Sequence, residues 1–218
     1  LTGAIVDEVP ISKELMENNL AAEGCLDGSY RILANITGMW LIQGIIKSLN
    51  LPDSNDTYDK ITKMAKEAKP FTSYINVDDA SLQNPDDMIK AIKEQSIKDS
   101  NVELEDTSEV IRTALEGIAF RVNETKEKLE KILKINFKRV HAVGGGTRNK
   151  LLCQFIADAT GVEVITGPIE GTAVGNLVSQ LYALGIVKNF QEVRDLIKRS
   201  FEFQTYEPEN TELWKEAF

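Results

Sequence analysis

The residues best suited to chemistry are three consecutive glycines, Gly144-Gly145-Gly146. They follow the run Val140-His141-Ala142-Val143 and precede Thr147-Arg148-Asn149. Glycines at the end of a buried strand let backbone approach a flat or charged ligand with no Cβ in the way. A helix that starts just after them presents free N–H groups to an anion. Two common phosphate loops are excluded by the spacing. A dinucleotide fingerprint fails where its last glycine should stand, because Asn149 is there, and a Walker A loop fails because no G-K-[ST] follows. A tight strand-to-helix turn with no ligand fits the same residues equally well. A second connection of the same kind is Gly167-Pro168-Ile169-Glu170-Gly171-Thr172-Ala173-Val174-Gly175-Asn176. Alone it reads as helix packing, with Ala173, Gly175 and Ala183 permitting close backbone approach. Two such turns at one edge of a parallel sheet say more, since ligands bind beyond the carboxyl ends of parallel strands.

Other candidates are weaker. His141 reads as a core or edge residue, and as the single histidine it excludes H-E-x-x-H and any two-His metal site. Cys25 and Cys153 are too far apart in sequence for a metal pair, and Cys153 reads as small core filler. Asp78-Asp79 and Asp86-Asp87 look like turn and cap residues. The Lys and Glu residues of 124–131 look like the solvated face of a helix. No nucleophile constellation and no metal-ligand set is present, so no catalytic or metal residue is assigned. The pattern is that of a ligand-binding half.

The balance of charges narrows the partners. Twenty-five basic against 34 acidic residues give a net charge of −9, which argues against nucleic acid. No apolar run approaches the ~20 residues that span a bilayer, which argues against a membrane span. The start, Leu1-Thr2-Gly3-Ala4-Ile5-Val6, lacks a basic n-region and begins with Leu. We expect a piece of a longer cytoplasmic protein. Its 218 residues suit one α/β domain.

The elements that must position the glycines follow from periodicity and caps. A short strand is predicted within 1–10, then a helix over 13–22 capped by Ser12 with Ile11 as staple. Apolar residues at helical spacing (Ile32, Leu33, Ile36, Trp40, Ile45, Leu49) predict a helix from Tyr30 to Leu49, with Gly38 and Gly44 inside it. Thr57–Lys69 reads as a surface helix and 70–77 as extended. Asn84-Pro85-Asp86-Asp87 predicts a helix start running to Ile97. A polar loop 99–106 and a long helix 108–134 follow. Then come strand 140–143, helix 149–159, strand 162–165, helix 172–184 and a helix capped by Asn189. Strand, turn, helix, strand is a βαβ unit, so its two strands should be parallel.

These residues resemble a family. Val143-Gly144-Gly145-Gly146-Thr147-Arg148-Asn149, the spacing to Gly167-Pro168, and Gly171-Thr172-Ala173-Val174-Gly175-Asn176 are similar to the FGGY carbohydrate kinases, in their C-terminal actin-like (ribonuclease H-like) ATPase domain. Arg112-Thr113-Ala114-Leu115-Glu116-Gly117-Ile118-Ala119 is similar to that family's R-x-x-x-E-G-I-A helix. The match is collinear over nearly the whole chain. The segments Asn18 to Gly28, Tyr30 to Gln43 and Tyr74 to Met88 resemble the rhamnulokinase branch, although Val77 stands where that branch usually has Pro.

The resemblance implies that residues 1–218 form a single actin-like domain whose N-terminal partner domain is absent. It implies transfer of the ATP γ-phosphoryl, with Mg²⁺, to the 1-hydroxyl of L-rhamnulose. Gly144, Gly145 and Gly146 would line the adenosine pocket, with Asn149 near it. Gln43 would contact ATP, and Asn35, on the same helix two turns earlier, would reach the sugar. The aspartate base and the S-G-T phosphate loop would lie outside these residues, so the chain alone would be inactive. A face normally covered by the other domain would favour self-association. Two alternatives stay open: a kinase of the family acting on another ketose or polyol, such as fuculose or xylulose, and a non-catalytic actin-like nucleotide-binding module. An NAD-binding module would need a backbone that Asn149 disfavours.

Overall fold

The computed structural model describes residues 1–10 and 12–217, so the staple expected of Ile11 lies outside the described residues. Its centre is a 27-residue helix, α5 (Thr107–Leu133). Asp106 caps it, its carboxylate accepting the N–H groups of Ser108 and Glu109, and Lys134 ends it in the left-handed region at φ 56°. Val110, Ile111, Ala114, Leu115 and Ala119 are all fully buried. Small residues on this helix let neighbours come close. Packed around it are α2 (Trp40–Ser48), α3 (Asn55–Glu67), α4 (Met88–Ser100) and α6 (Lys150–Thr160). Gly44 on α2 has a packing reason, since a Cβ there would meet Met88 Cε at 2.6 Å.

Two three-stranded sheets flank this helical layer. One is antiparallel, in the order β1 (Thr2–Val6), β3 (Tyr30–Ala34), β2 (Ala21–Gly24). The other joins β4 (Arg139–Ala142) to β5 (Glu163–Thr166) in parallel, as the βαβ pattern required, with β6 (Thr205–Tyr206) added antiparallel. After β5 come α7 (Gly171–Ala183) and α8 (Phe190–Ser200), the latter capped by Asn189 as expected. A last helix, α9 (Thr211–Ala217), seats Trp214 on the core. Its ring lies 4.8 to 5.2 Å from those of Phe71, Phe120 and Phe155.

Several sequence expectations are corrected. Residues 30–49 are a strand, a loop and a shorter helix, not one helix. Tyr30–Ala34 pairs with both β1 and β2, and that two-sided ladder outweighs an apolar spacing that suits helix and strand alike. The helix α1 stops at Glu17 because Asn18 and Asn19 reverse the chain, Asn19 at φ 52°, and 21–24 is β2. Asp87 caps α4 rather than Asn84. Strand β4 is half-exposed rather than buried, because it lies at a sheet edge, and His141 is exposed on it. The charged stretch 124–131 is partly covered: Lys126 and Glu130 pair at 3.0 Å with 14% and 19% exposure. On α7, Gly175 has open space around it, not a close neighbour.

Candidate functional site

The two glycine turns meet at the carboxyl ends of β4 and β5. Gly144 donates its N–H to Pro168 O at 3.1 Å, and Gly167 donates to Ala142 O at 2.7 Å. Gly144 stands at φ 94°, where side chains are strained, so the turn itself explains this glycine. Gly145 is different. Its φ is unexceptional and a Cβ there would touch nothing within 4 Å. Gly145 to Arg148 form a single 3₁₀ turn, and α6 follows it.

Asn149 sits where that turn becomes α6. Its Oδ1 accepts Leu152 N–H at 3.0 Å, which makes it the helix cap, and its Nδ2 donates to Thr62 Oγ1 at 3.3 Å on α3. Asn149 therefore ties two walls of a cavity together. Asn149→Ala should cost about 1 kcal/mol in urea unfolding, the usual value of a cap. Asn149→Asp, which keeps the cap and loses the donor to Thr62, should cost less than half of that.

The cavity holds about 740 Å³, the size of a small-ligand site. Gly145, Gly146 and Asn149 line one side, Met39 and Gln43 of the α2 region another, and Asn55, Tyr58, Asp59 and Thr62 of α3 a third. Gln43 and Asp53 are polar neighbours of the Tyr58 hydroxyl. Burial, then the Asp53 charge, pushes its phenol above the ordinary value. Asp53, Asp59 and Glu170 also line the cavity, and Arg148 is the cation among its lining residues. The sequence reading missed the α3 wall. Asn55, Tyr58, Asp59 and Thr62 do form a polar stripe opposite Ile61 and Ala65, but nothing local says that this stripe faces a turn some 80 to 90 residues away.

Other expected site residues separate. Gly144 opens onto a neighbouring groove of about 440 Å³, lined by Leu1, Ile5, Leu33, Val143 and Ile169. Leu1, Ile5 and Val143 are 71%, 74% and 62% exposed there. Asn35 is not on the helix of Gln43. It lies in the loop between β3 and α2 and faces a polar cleft of about 530 Å³ with Asn18, Asn19, Thr37, Asp78 and Arg121. Asp78 organises that cleft: it accepts Thr37 N–H at 2.6 Å and Arg121 Nε–H at 2.5 Å. Cys153 is buried, its thiol pushed up to about 11, and so inert. Among the described residues no three His, Cys, Asp or Glu side chains gather to hold a metal ion. No helix among them is long and apolar enough to cross a membrane.

This α/β domain has the actin-like ATPase fold, on its likeness to solved sugar kinases. Solved structures share the fold. A gluconate kinase from Lactobacillus acidophilus matches with a TM-score of 0.68 and 15% identity, over 99% of this chain and 42% of its own. A glycerol kinase from Plasmodium falciparum, solved with ADP, matches with a TM-score of 0.67 and 20% identity, over 99% and 43%. The family model for the FGGY family of carbohydrate kinases, C-terminal domain, matches residues 2–184. The chain belongs to that family. It is 35% identical over its 218 residues to a rhamnulokinase from Bacteroides thetaiotaomicron and 31% identical over 207 residues to one from Bacillus subtilis. It covers 44% and 42% of those two proteins, less than half of each.

Proposed function

We propose that the chain is a single domain, the nucleotide-binding half of an ATP-dependent sugar kinase that phosphorylates L-rhamnulose at its 1-hydroxyl. The observation that carries this reading is convergence: Gln43 on the one hand, and Gly145, Gly146 and Asn149 on the other, come from two distant segments and line one cavity with α3. Bare backbone suits close contact with a nucleotide, and the amides of Gln43 and Asn149 suit a base edge or ribose hydroxyl. The carboxylates at the α3 side disfavour phosphates there, so the phosphate end lies toward the glycines and α6. Gly144 acts on the shape of the turn. Asn35, in its separate cleft, is the sugar contact, with Thr37, Asp78 and Arg121 holding its loop.

ATP supplies the phosphoryl group, and Mg²⁺ neutralises charge on the transferring phosphates. These residues offer no cage for the ion, and none is assigned to it. The family resemblance puts the aspartate base outside this chain. We therefore infer that the chain binds nucleotide but does not phosphorylate sugar alone, and that the apolar groove of Leu1, Ile5 and Val143 is covered by the other half of a cytoplasmic enzyme.

The test is calorimetric titration of this chain, and of a longer polypeptide containing it, with ADP and L-rhamnulose, together with a coupled kinase assay. We expect ADP binding to both, with sugar binding and turnover in the longer polypeptide alone. Turnover with xylulose or fuculose instead would keep the kinase and change the sugar. ADP binding with no turnover in either would favour a non-catalytic module. No ADP binding to either would overturn the assignment.

A further inference from the structure

The R-x-x-x-E-G stretch of α5 contributes nothing to the cavity, and the function proposed above uses none of it. Yet Arg112 and Glu116 are its most deeply committed charges, 12% and 1% exposed. Glu116 accepts Arg112 Nε–H at 2.7 Å and Phe71 N–H at 3.0 and 3.3 Å. Arg112 Nη1 donates to Ala65 O at 3.1 Å and Ala68 O at 3.2 Å, carbonyls that the end of α3 leaves without helical partners. Its guanidinium also lies 5.1 Å from the centroid of the Phe155 ring on α6. One residue on, a Cβ at Gly117 would meet Val77 Cγ1 at 2.7 Å.

The motif thus grips one segment at successive places: 65–68 by Arg112, 71 by Glu116, and 77 by the absence of a side chain at 117. Phe71 stands at φ 53°, a conformation that persists where its surroundings hold it, and its amide is the group Glu116 takes. The gripped segment begins at the end of α3, and α3 is the wall that carries Tyr58 and Thr62 into the cavity. Arg112 touches α6 as well, and α6 begins at Asn149 on the facing wall.

We propose that Arg112 and Glu116 are positioning residues that hold α3 against α6 and so set the width of the nucleotide cavity. This rests on reading that cavity as the nucleotide site. A bare core pair would be exchangeable for apolar residues without consequence for the site. A positioning pair would not, because lysine cannot reproduce the fork that spans Glu116 and two carbonyls.

The test compares Arg112→Met, Arg112→Lys and Glu116→Gln with the unaltered chain, by hydrogen exchange and by ADP titration well below each Tm. In both Arg112 variants we expect amides of 55–72 to exchange at least about tenfold faster, with those of β4 and β5 unchanged, and ADP to bind about tenfold more weakly. Glu116→Gln keeps an acceptor for Phe71 N–H, and its ADP affinity should stay within about threefold. If Arg112→Met does not fold, Arg112→Lys carries the same reading. Unchanged exchange over 55–72 would overturn the proposal. So would faster exchange with unchanged ADP affinity, since the wall would then move without consequence. If the unaltered chain binds no ADP, it is the nucleotide reading that fails. The exchange at α3 then still decides whether the pair holds that helix.

Discussion

Gly145→Val is expected to weaken ADP binding on the order of tens- to hundredfold while leaving the fold unchanged. The argument is steric. A Cβ at 145 would meet no protein atom within 4 Å, and the backbone there is not in the left-handed region. The protein therefore has room for the side chain, and the space it would fill is the cavity. Placing two methyl groups against a bound ligand costs on the order of 1–3 kcal/mol, as overpacking does elsewhere, and each 1.4 kcal/mol is tenfold in affinity. The neighbouring glycine gives the contrast. Gly144→Val should lower Tm, because φ 94° is strained for any side chain, whatever binds nearby. Calorimetry with ADP and thermal melts of both variants check this. Unimpaired ADP binding by Gly145→Val would move the nucleotide out of this cavity.

Glu116→Ala is expected to cost about 3–5 kcal/mol of stability, the cost of breaking a buried ion pair from one side. It would strand Arg112 and leave Phe71 N–H without its acceptor. The pH dependence is the sharper result. Burial pushes the Glu116 carboxyl from 4.5 up to about 7, against the pull of Arg112 and the Phe71 amide. The folded chain then holds this proton more tightly than the unfolded chain does. The stabilisation is full below about pH 4.5 and is lost as pH rises through 7, an effect on the order of 3 kcal/mol. Urea unfolding from pH 5 to pH 8 should show stability falling. The difference between the unaltered chain and Glu116→Gln isolates this group, because the other titrating groups are common to both. A difference that does not vary with pH would mean that Arg112 keeps the carboxylate ionised throughout.

Much of the scaffold was legible in the residues. Ser12 and Asn189 capped the helices expected of them, and the βαβ pattern of 140–165 gave parallel strands, because caps and short connections are local physics. Tyr30–Ala34 was not legible. Ile32, Leu33 and Ile36 suit helical spacing, and what decided for a strand was pairing on both sides with residues 6 to 32 positions away along the chain. The small strand β6 and the Trp214 anchor of α9 also escaped, since a two-residue strand has no periodicity to read.

By itself the sequence determined the glycine turns, the caps, the parallel unit and the likeness to a kinase family, since each is written in neighbouring residues or in a collinear order of motifs. Tertiary structure alone decided which of those residues share a cavity. It brought Gln43, Tyr58, Thr62, Gly145 and Asn149 onto one, and sent Asn35 and Gly144 to others. It also turned the Arg112–Glu116 spacing, which in sequence is only an i,i+4 pair on a helix, into a contact reaching two other segments, 65–71 and α6. The reason is that packing of α3 and α6 on α5 sets distances across some 90 residues of chain, and no local pattern encodes which polar face will meet another.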